Sequence, residues 1–179
     1  DNPDEVLKSI EILTAPWGLA MSPSRITVST VGILPQINRF VEECKAHLAV
    51  SLHSPFDEER RYLMPVQAAY PVSEVIREIR NFSFSQHRRI SFEYIVFKDL
   101  NHSRQHVREL ARLLKGLNCR INLIRFHKIP GSDLAPPSEE TMVKFRDFIT
   151  SKEITCTIRT SRGEDIFAAC GMLSTAKSS

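Results

Sequence analysis

Leu-Ala-Val-Ser-Leu-His-Ser-Pro, residues 48–55, gives the clearest structural pattern in the chain. Three aliphatic side chains alternate with Ala49, Ser51 and His53, so an extended strand here is apolar on one face and small or polar on the other. The apolar face suits packing against helices, and the polar face suits a barrel wall or a sheet over a pocket. His53 falls at the carboxyl end of the strand, where α/β folds place their chemistry. A ligand role for His53 and a role as a hydrogen-bonding cap of the strand are both open at this point.

Composition indicates one globular domain with a real core. The chain has 179 residues, 42% of them hydrophobic, a net charge of +3 and a pI near 8.8, which permits a nucleic-acid partner without requiring one. No apolar run is long enough to cross a bilayer, so we expect no membrane partner. The four cysteines show no CxxC spacing and hence no zinc or redox motif, and a reduced, cytoplasmic protein is the default expectation.

Strand and helix patterns alternate along most of the chain. The predicted strands are residues 25–31, 48–53, 89–97, 120–126 and 154–159. Helical patterns lie between them, and the charged run at residues 57–61 is interpreted as a solvated helical turn. This alternation predicts a parallel sheet with right-handed crossovers. Four clear strand–helix units are too few for a closed barrel of eight, so we predict an open or partial barrel.

Parallel strands would bring a set of polar side chains to one mouth of this sheet. The set comprises Ser29, Ser51, His53, Glu93, Asn101, Arg125 and His127. Glu93 lies within an apolar run and needs a partner if it is buried. Neither GxGxxG nor GxxxxGK[ST] occurs, so no phosphate cradle is predicted, and the spacing does not support a Ser–His–Asp triad.

Four blocks of sequence, in this order, resemble one known family. They are RITVSTVG at 25–32, LAVSLHSP at 48–55, NLIRFHKIPG at 122–131 and RGEDIFAACGML at 162–173. The chain resembles the radical S-adenosylmethionine (SAM) methyltransferases that methylate C2 of adenine in ribosomal and transfer RNA. This resemblance implies an α/β fold, a partial (β/α) barrel of the radical-SAM type, truncated at its N-terminal side.

The resemblance also implies roles for individual residues. Ser29 and the run Ser51, Leu52 and His53 match positions where the family binds SAM, and His127 stands where the family usually has asparagine. Cys170 matches the cysteine that the family first methylates on sulfur, after which the carbon passes to the RNA base. A thiolate suits this task because it is a strong nucleophile, whereas adenine C2 is electron-poor. Without the resemblance, Cys170 would be interpreted as a small buried hydrophobe.

Several family motifs are absent. The cluster motif CxxxCxxC, a Gly-Glu-Pro segment and a second catalytic cysteine would lie upstream, so we expect residues 1–173 to form the carboxyl-terminal part of a radical-SAM catalytic domain and 174–179 a disordered tail. The implied cofactors are SAM and a [4Fe–4S] cluster whose ligands this chain lacks. The chain alone should then be inactive. His127-Lys128 replaces Asn-Pro and Met172 replaces glutamine, which bears on the substrate more than on the fold.

The implied partners are ribosomal RNA, possibly transfer RNA, and an electron donor for the cluster, and the truncated barrel edge could pair with another chain. Two other functions stay open: a different radical-SAM reaction on another substrate, and a non-catalytic nucleic-acid-binding module. A row of arginines on one face, formed by Arg88, Arg89, Arg120 and Arg125, would favour RNA binding in general.

Overall fold

Helices and strands alternate in the computed structural model, which describes residues 2–82, 84, 88–128 and 131–160. The strands are β1 (Thr27–Thr30), β2 (His47–Ser51), β3 (Ile90–Val96), β4 (Cys119–Arg125) and β5 (Thr155–Ile158). The helices are α1 (Pro3–Thr14), α2 (Leu34–Glu43), α3 (Asp57–Leu63), α4 (Val72–Asn81), α5 (Arg104–Leu114) and α6 (Glu139–Thr150). Short 3-10 turns cover Pro23–Arg25 and Pro65–Ala68.

The five strands form one parallel sheet in the order β1-β2-β3-β4-β5. Within the described residues the sheet does not close, because β1 and β5 each have one strand neighbour. The predicted partial barrel is therefore confirmed. Every predicted strand is present, with each end within two residues of its expected position.

The core lies between the sheet and the helices. One face of the sheet packs against the helices. Its side chains include Leu48, Val50 and Phe92, which are almost fully buried. Helices α4 and α5 meet that face with aliphatic side chains, among them Ile76 and Leu110, which are 0% exposed. Each such side chain contributes about 1.5–3 kcal/mol by leaving water. The core thus fixes which residues of β2 point away from the helices.

The opposite face of the sheet is polar. One row across the strands is Ser29, Ala49, Ser91 and Arg120, and the next is Ser51, Glu93, Asn122 and Thr157. Glu93 is buried and finds the predicted partner, since Asn122 Nδ2 donates to its Oε1 at 2.7 Å. Ser91 Oγ donates to the same oxygen at 3.1 Å. The alternation at 48–53 therefore correctly predicts an apolar and a polar face.

The charged run at 57–61 is only partly the solvated turn that the sequence predicts. Residues Asp57 and Glu58 are exposed, but Arg60 is 0% exposed. The reason is helical geometry, because Arg60 lies one turn after Phe56 and one turn before Met64, on the face of α3 that turns inward. The interpretation was wrong for this residue, and the burial has consequences for the site described below.

Candidate functional site

Four of the five predicted SAM-binding residues lie toward the carboxyl ends of β1 and β2, and the fifth, His127, follows β4. Ser29 pairs with Ala49, two residues before Ser51, so the two serines lie on the same face of neighbouring strands. Ser29 is exposed and Ser51 is half-buried. Leu52 is 0% exposed and packs in the core, so a ligand at this edge would meet its peptide group rather than its side chain.

The backbone makes an unusual turn directly after β2. His53 has a φ of +57°, and Ser54 N–H donates to Leu52 O at 2.7 Å. A hydrogen bond from residue i+2 to residue i around a central residue with positive φ defines a γ-turn, which is strained in this form. A positive φ is uncommon for residues other than glycine, and such strain concentrates at functional sites.

The His53 ring replaces a backbone carbonyl as the acceptor of one hydrogen bond from the neighbouring strand. Ile95 N–H, on the adjacent strand β3, donates to His53 Nδ1 at 3.0 Å. Burial, together with the nearby Arg60 cation, lowers the pKa of His53 to about 4. The ring is therefore neutral at physiological pH, and because Nδ1 accepts, the proton is on Nε2. His53 caps the strand junction and also holds one N–H donor.

The Asn101 side chain also stabilises this turn through hydrogen bonds. Its Nδ2 donates to His53 O at 2.7 Å and to Ile95 O at 2.8 Å, while its Oδ1 accepts from Phe97 N–H at 2.9 Å. Asn101 is 0% exposed, and all of these partners are backbone groups. The sequence places Asn101 at the mouth, and the structure assigns it to holding the strand ends rather than to facing a ligand.

Arg60 reaches the same strand ends from α3. Its Nε donates to Leu52 O at 3.2 Å, and its Nη2 donates to Val31 O at 3.0 Å and to Ser51 O at 3.1 Å. Burial lowers the pKa of Arg60 to about 10, which still leaves it charged near neutral pH. Sequence reasoning missed this residue, although its spacing from Phe56 was a usable signal.

His127 lies just past the end of β4 and is half-buried. The preceding Phe126 packs against Phe97, with ring centroids 4.9 Å apart, and Phe97 directly follows β3. The ends of β3 and β4 are thus joined at the edge of the sheet where His53 contacts Ile95. The SAM-binding roles of Ser29, Ser51, Leu52, His53 and His127 stay predictions.

The four arginines that would favour RNA binding if they shared one face do not form such a row. Arg89 and Arg120 line one pocket on the polar face of the sheet, together with Arg159. Arg88 instead donates to Val41 O and lies over the ring of Phe40, against α2. Arg125 pairs with Glu139 of α6. The four side chains meet different elements, so this arrangement gives no support to RNA binding through a shared arginine face.

Among the described residues, no group of three or more His, Cys, Asp or Glu side chains is placed to hold a metal ion. Burial raises the pKa of Cys119 and that of Cys156 to about 12. Cys44 is buried in the core near α2. Cys170 and the predicted tail at 174–179 lie outside the described residues.

No described helix is long and apolar enough to cross a membrane.

Comparison with known proteins finds close relatives but no matching protein-family model. The chain is 59% identical over 99% of its length to the "Probable dual-specificity RNA methyltransferase RlmN" of Parabacteroides distasonis and covers 52% of that protein. It is 44% identical over 97% of its length to the "Dual-specificity RNA methyltransferase RlmN" of Nautilia profundicola and covers 49% of it. The chain thus spans about half the length of the curated relatives it matches.

Two solved structures resemble the fold. A radical SAM methyltransferase from Sphaerobacter thermophilus matches with a TM-score of 0.88 and 39% identity, over 93% of this chain and 49% of that one. A domain of a pyruvate-formate lyase-activating enzyme from Bacteroides vulgatus matches with a TM-score of 0.64 and 17% identity, over 89% of this chain and 95% of that one. The second likeness concerns the fold alone.

Proposed function

We propose that the chain belongs to the family of radical SAM, dual-specificity RNA methyltransferases and is the carboxyl-terminal part of an enzyme that methylates C2 of adenine in ribosomal and transfer RNA. The observation that carries the proposal is the high identity to these relatives over nearly the whole chain. Because the match spans about half of each relative, a cluster-binding segment would come from the other half. In isolation the chain would then be inactive.

The polar edge of β1 and β2 supplies the donors for SAM. The Ser29 and Ser51 hydroxyls lie on one face, and the neutral His53 ring adds an Nε2–H donor. SAM, together with a [4Fe–4S] cluster, would supply the methyl group and the radical chemistry. His127 sits where the family has asparagine and would offer a nitrogen donor or acceptor in place of an amide.

Cys170 is the proposed methyl carrier. It matches the family cysteine within RGEDIFAACG, and small residues flank it on both sides. Its thiolate would accept a methyl group on sulfur, and the carbon would then pass to C2 of the base. Cys119 and Cys156 are unsuited to this role, since both lie in strands and burial strongly raises the pKa of each thiol.

The proposed partners follow from this chemistry. They are ribosomal RNA, transfer RNA and a protein that donates electrons to the cluster. The cytoplasm is the proposed compartment, because the RNA substrates lie there and the family chemistry needs reduced thiols.

The test uses the complete enzyme, purified without oxygen and with its cluster. Mass spectrometry of treated ribosomal and transfer RNA should detect 2-methyladenosine, and digestion should yield an S-methylated peptide containing Cys170. Cys170→Ala should abolish RNA methylation and keep the fold. Cys119→Ala, a matched cysteine replacement, should keep the activity.

The other outcomes separate the alternatives. Methylation that survives in Cys170→Ala, or a methyl group on another cysteine, would contradict the carrier assignment. Reductive cleavage of SAM without RNA methylation would instead indicate a different radical-SAM reaction. RNA binding without either activity would favour a non-catalytic binding module.

A further inference from the structure

The guanidinium group of Arg60 is buried next to the ends of the two strands that carry the proposed SAM site. Arg60 is 0% exposed, and three of its hydrogen bonds go to backbone carbonyls at the carboxyl ends of β1 and β2. Its Nη1 donates to Gln67 Oε1, and Gln67 Nε2 donates in turn to Asp57 Oδ1 at 2.7 Å. The nearest carboxylate in this network is therefore reached through an amide. Burying the charge of Arg60 without a direct counter-ion costs free energy, so we expect this residue to have a role that offsets the cost.

The reason lies in how β2 leaves the sheet. The last regular ladder bond between β2 and β3 runs from Leu52 N–H to Glu93 O, at 2.9 Å. In a continued parallel ladder, Ile95 N–H would donate next to Leu52 O. Here Ile95 N–H donates to His53 Nδ1 instead, and Leu52 O accepts from Arg60 Nε. Arg60 and His53 together replace one rung of the sheet.

We propose that Arg60 is a positioning residue of the cofactor site, which holds the Ser51 and Leu52 carbonyls so that His53 stays in its γ-turn with ring Nε2–H available as a donor to the cofactor. This inference rests on the proposed function, in which the cofactor is SAM. Among the described residues, no hydrogen-bond acceptor lies on Nε2 of His53.

Two physical effects connect Arg60 to ligand binding. First, a charged donor on the carbonyl of a peptide polarises that peptide, so the His53 N–H, which shares its peptide with Leu52 O, becomes a better donor. Second, the Arg60 cation disfavours a second charge on the adjacent imidazole. A neutral His53 keeps Nδ1 free to accept from Ile95, which fixes the ring orientation.

The experiment compares three single variants of the complete enzyme and repeats Arg60→Lys in a His53→Ala background. Arg60→Lys keeps the positive charge but loses the planar guanidinium group with its fixed N–H donors. Arg60→Met removes both the charge and the donors. Arg61→Met is the matched control, because Arg61 is the next residue of α3 and is exposed. SAM affinity is measured by calorimetry across pH, and thermal unfolding reports whether each variant is folded.

We expect SAM affinity to fall about tenfold or more in both Arg60 variants and to stay unchanged in Arg61→Met. In Arg60→Met the affinity should begin to fall at a higher pH than in the wild type, because His53 loses the smaller of the two effects that lower its pKa and a protonated ring cannot accept from Ile95. The effect of Arg60→Lys should vanish in a His53→Ala background, since the two residues act through one turn. A merely structural role would not produce this dependence on His53.

Folded Arg60 variants with unchanged SAM affinity would overturn the inference while leaving the proposed function intact. Equal losses with and without His53 would overturn it too. If neither Arg60 variant folds, the residue is structural and the positioning role is wrong. A complete wild-type enzyme that does not bind SAM would overturn the proposed function and this inference together.

Discussion

His53 shows how one residue can serve both the fold and a site. Its positive φ removes it from the regular path of β2, and its ring recovers the backbone hydrogen bond that the turn breaks. The two interpretations that the sequence left open are therefore compatible. Nδ1 caps the strand junction, and Nε2–H is the atom that a ligand would use.

The stability of the chain should depend on pH through His53. Its pKa is about 4 in the folded chain and lies near the ordinary histidine value of 6.5 in the unfolded chain, so the unfolded chain binds more protons between these limits. Stability is fully present above pH 6.5 and is lost as the pH falls toward 4, by at most about 3 kcal/mol. Urea unfolding at pH 7.5 and pH 5 measures this loss.

The matched variant is His53→Asn, since asparagine tolerates a positive φ and its Oδ1 can accept from Ile95. It cannot titrate, so we expect a smaller loss of stability at pH 5 than in the wild-type chain. His47 also has a lowered pKa and contributes a loss of the same sign in both proteins. Equal losses in the two proteins would contradict a role for His53.

At the scale of elements, the turn between β3 and α5 holds β2 in place. Asn101 bridges His53 O, Ile95 O and Phe97 N–H from a fully buried position. Asn101→Asp keeps the shape of the side chain. It replaces the Nδ2 amide group, which donates two hydrogen bonds, by a carboxyl oxygen that faces the His53 and Ile95 carbonyls. We expect a loss of about 3 kcal/mol in the free energy of unfolding, from the unsatisfied buried carbonyls. Urea unfolding of the chain is the measurement.

The control is Asn118→Asp, at an exposed position directly before β4. It makes the same chemical change without burial and should shift the unfolding free energy by less than about 0.5 kcal/mol. If the two variants lose the same stability, the added charge rather than the lost hydrogen bonds is responsible.

The elements were predictable because their signals are local. Alternating aliphatic residues predict β2 and β3, and Ser103 before an apolar helical pattern predicts α5, whose first turn it caps by accepting from His106 N–H. Asparagine before Pro3 likewise predicts the start of α1, and this residue shows the limit of such signals. Asn2 takes the cap position without making the side-chain bond.

The candidate site was predictable only in part. Ser29 and Ser51 follow from strand alternation, but the γ-turn at His53 depends on contacts with Asn101 and Arg60, which are distant in the sequence. No glycine marks that turn. The burial of Arg60 is likewise set by tertiary packing, and a run of five charged residues is usually solvated.

At the scale of the whole molecule, the sheet formed by the described strands is open at β1. Beside this edge, a cavity of about 250 Å³ lies between α1 and α2, lined by residues that include Val28, Ile37 and Phe40. An unpaired strand edge next to apolar surface favours association with another strand. Among the described residues, no strand pairs with β1 on its outer side.

We therefore predict that the isolated chain self-associates through β1. His47 N–H donates to Ile26 O at 2.9 Å, so in a parallel ladder the N–H of Thr27 faces away from β2. Thr27→Pro removes that donor from the open edge, at the first position of a strand, where proline is tolerated. Sedimentation velocity should find dimers or larger species for the wild-type chain at micromolar concentration and mainly monomer for Thr27→Pro. Circular dichroism should be the same for both. If the folded variant associates as strongly as the wild type, the chains pair through another surface.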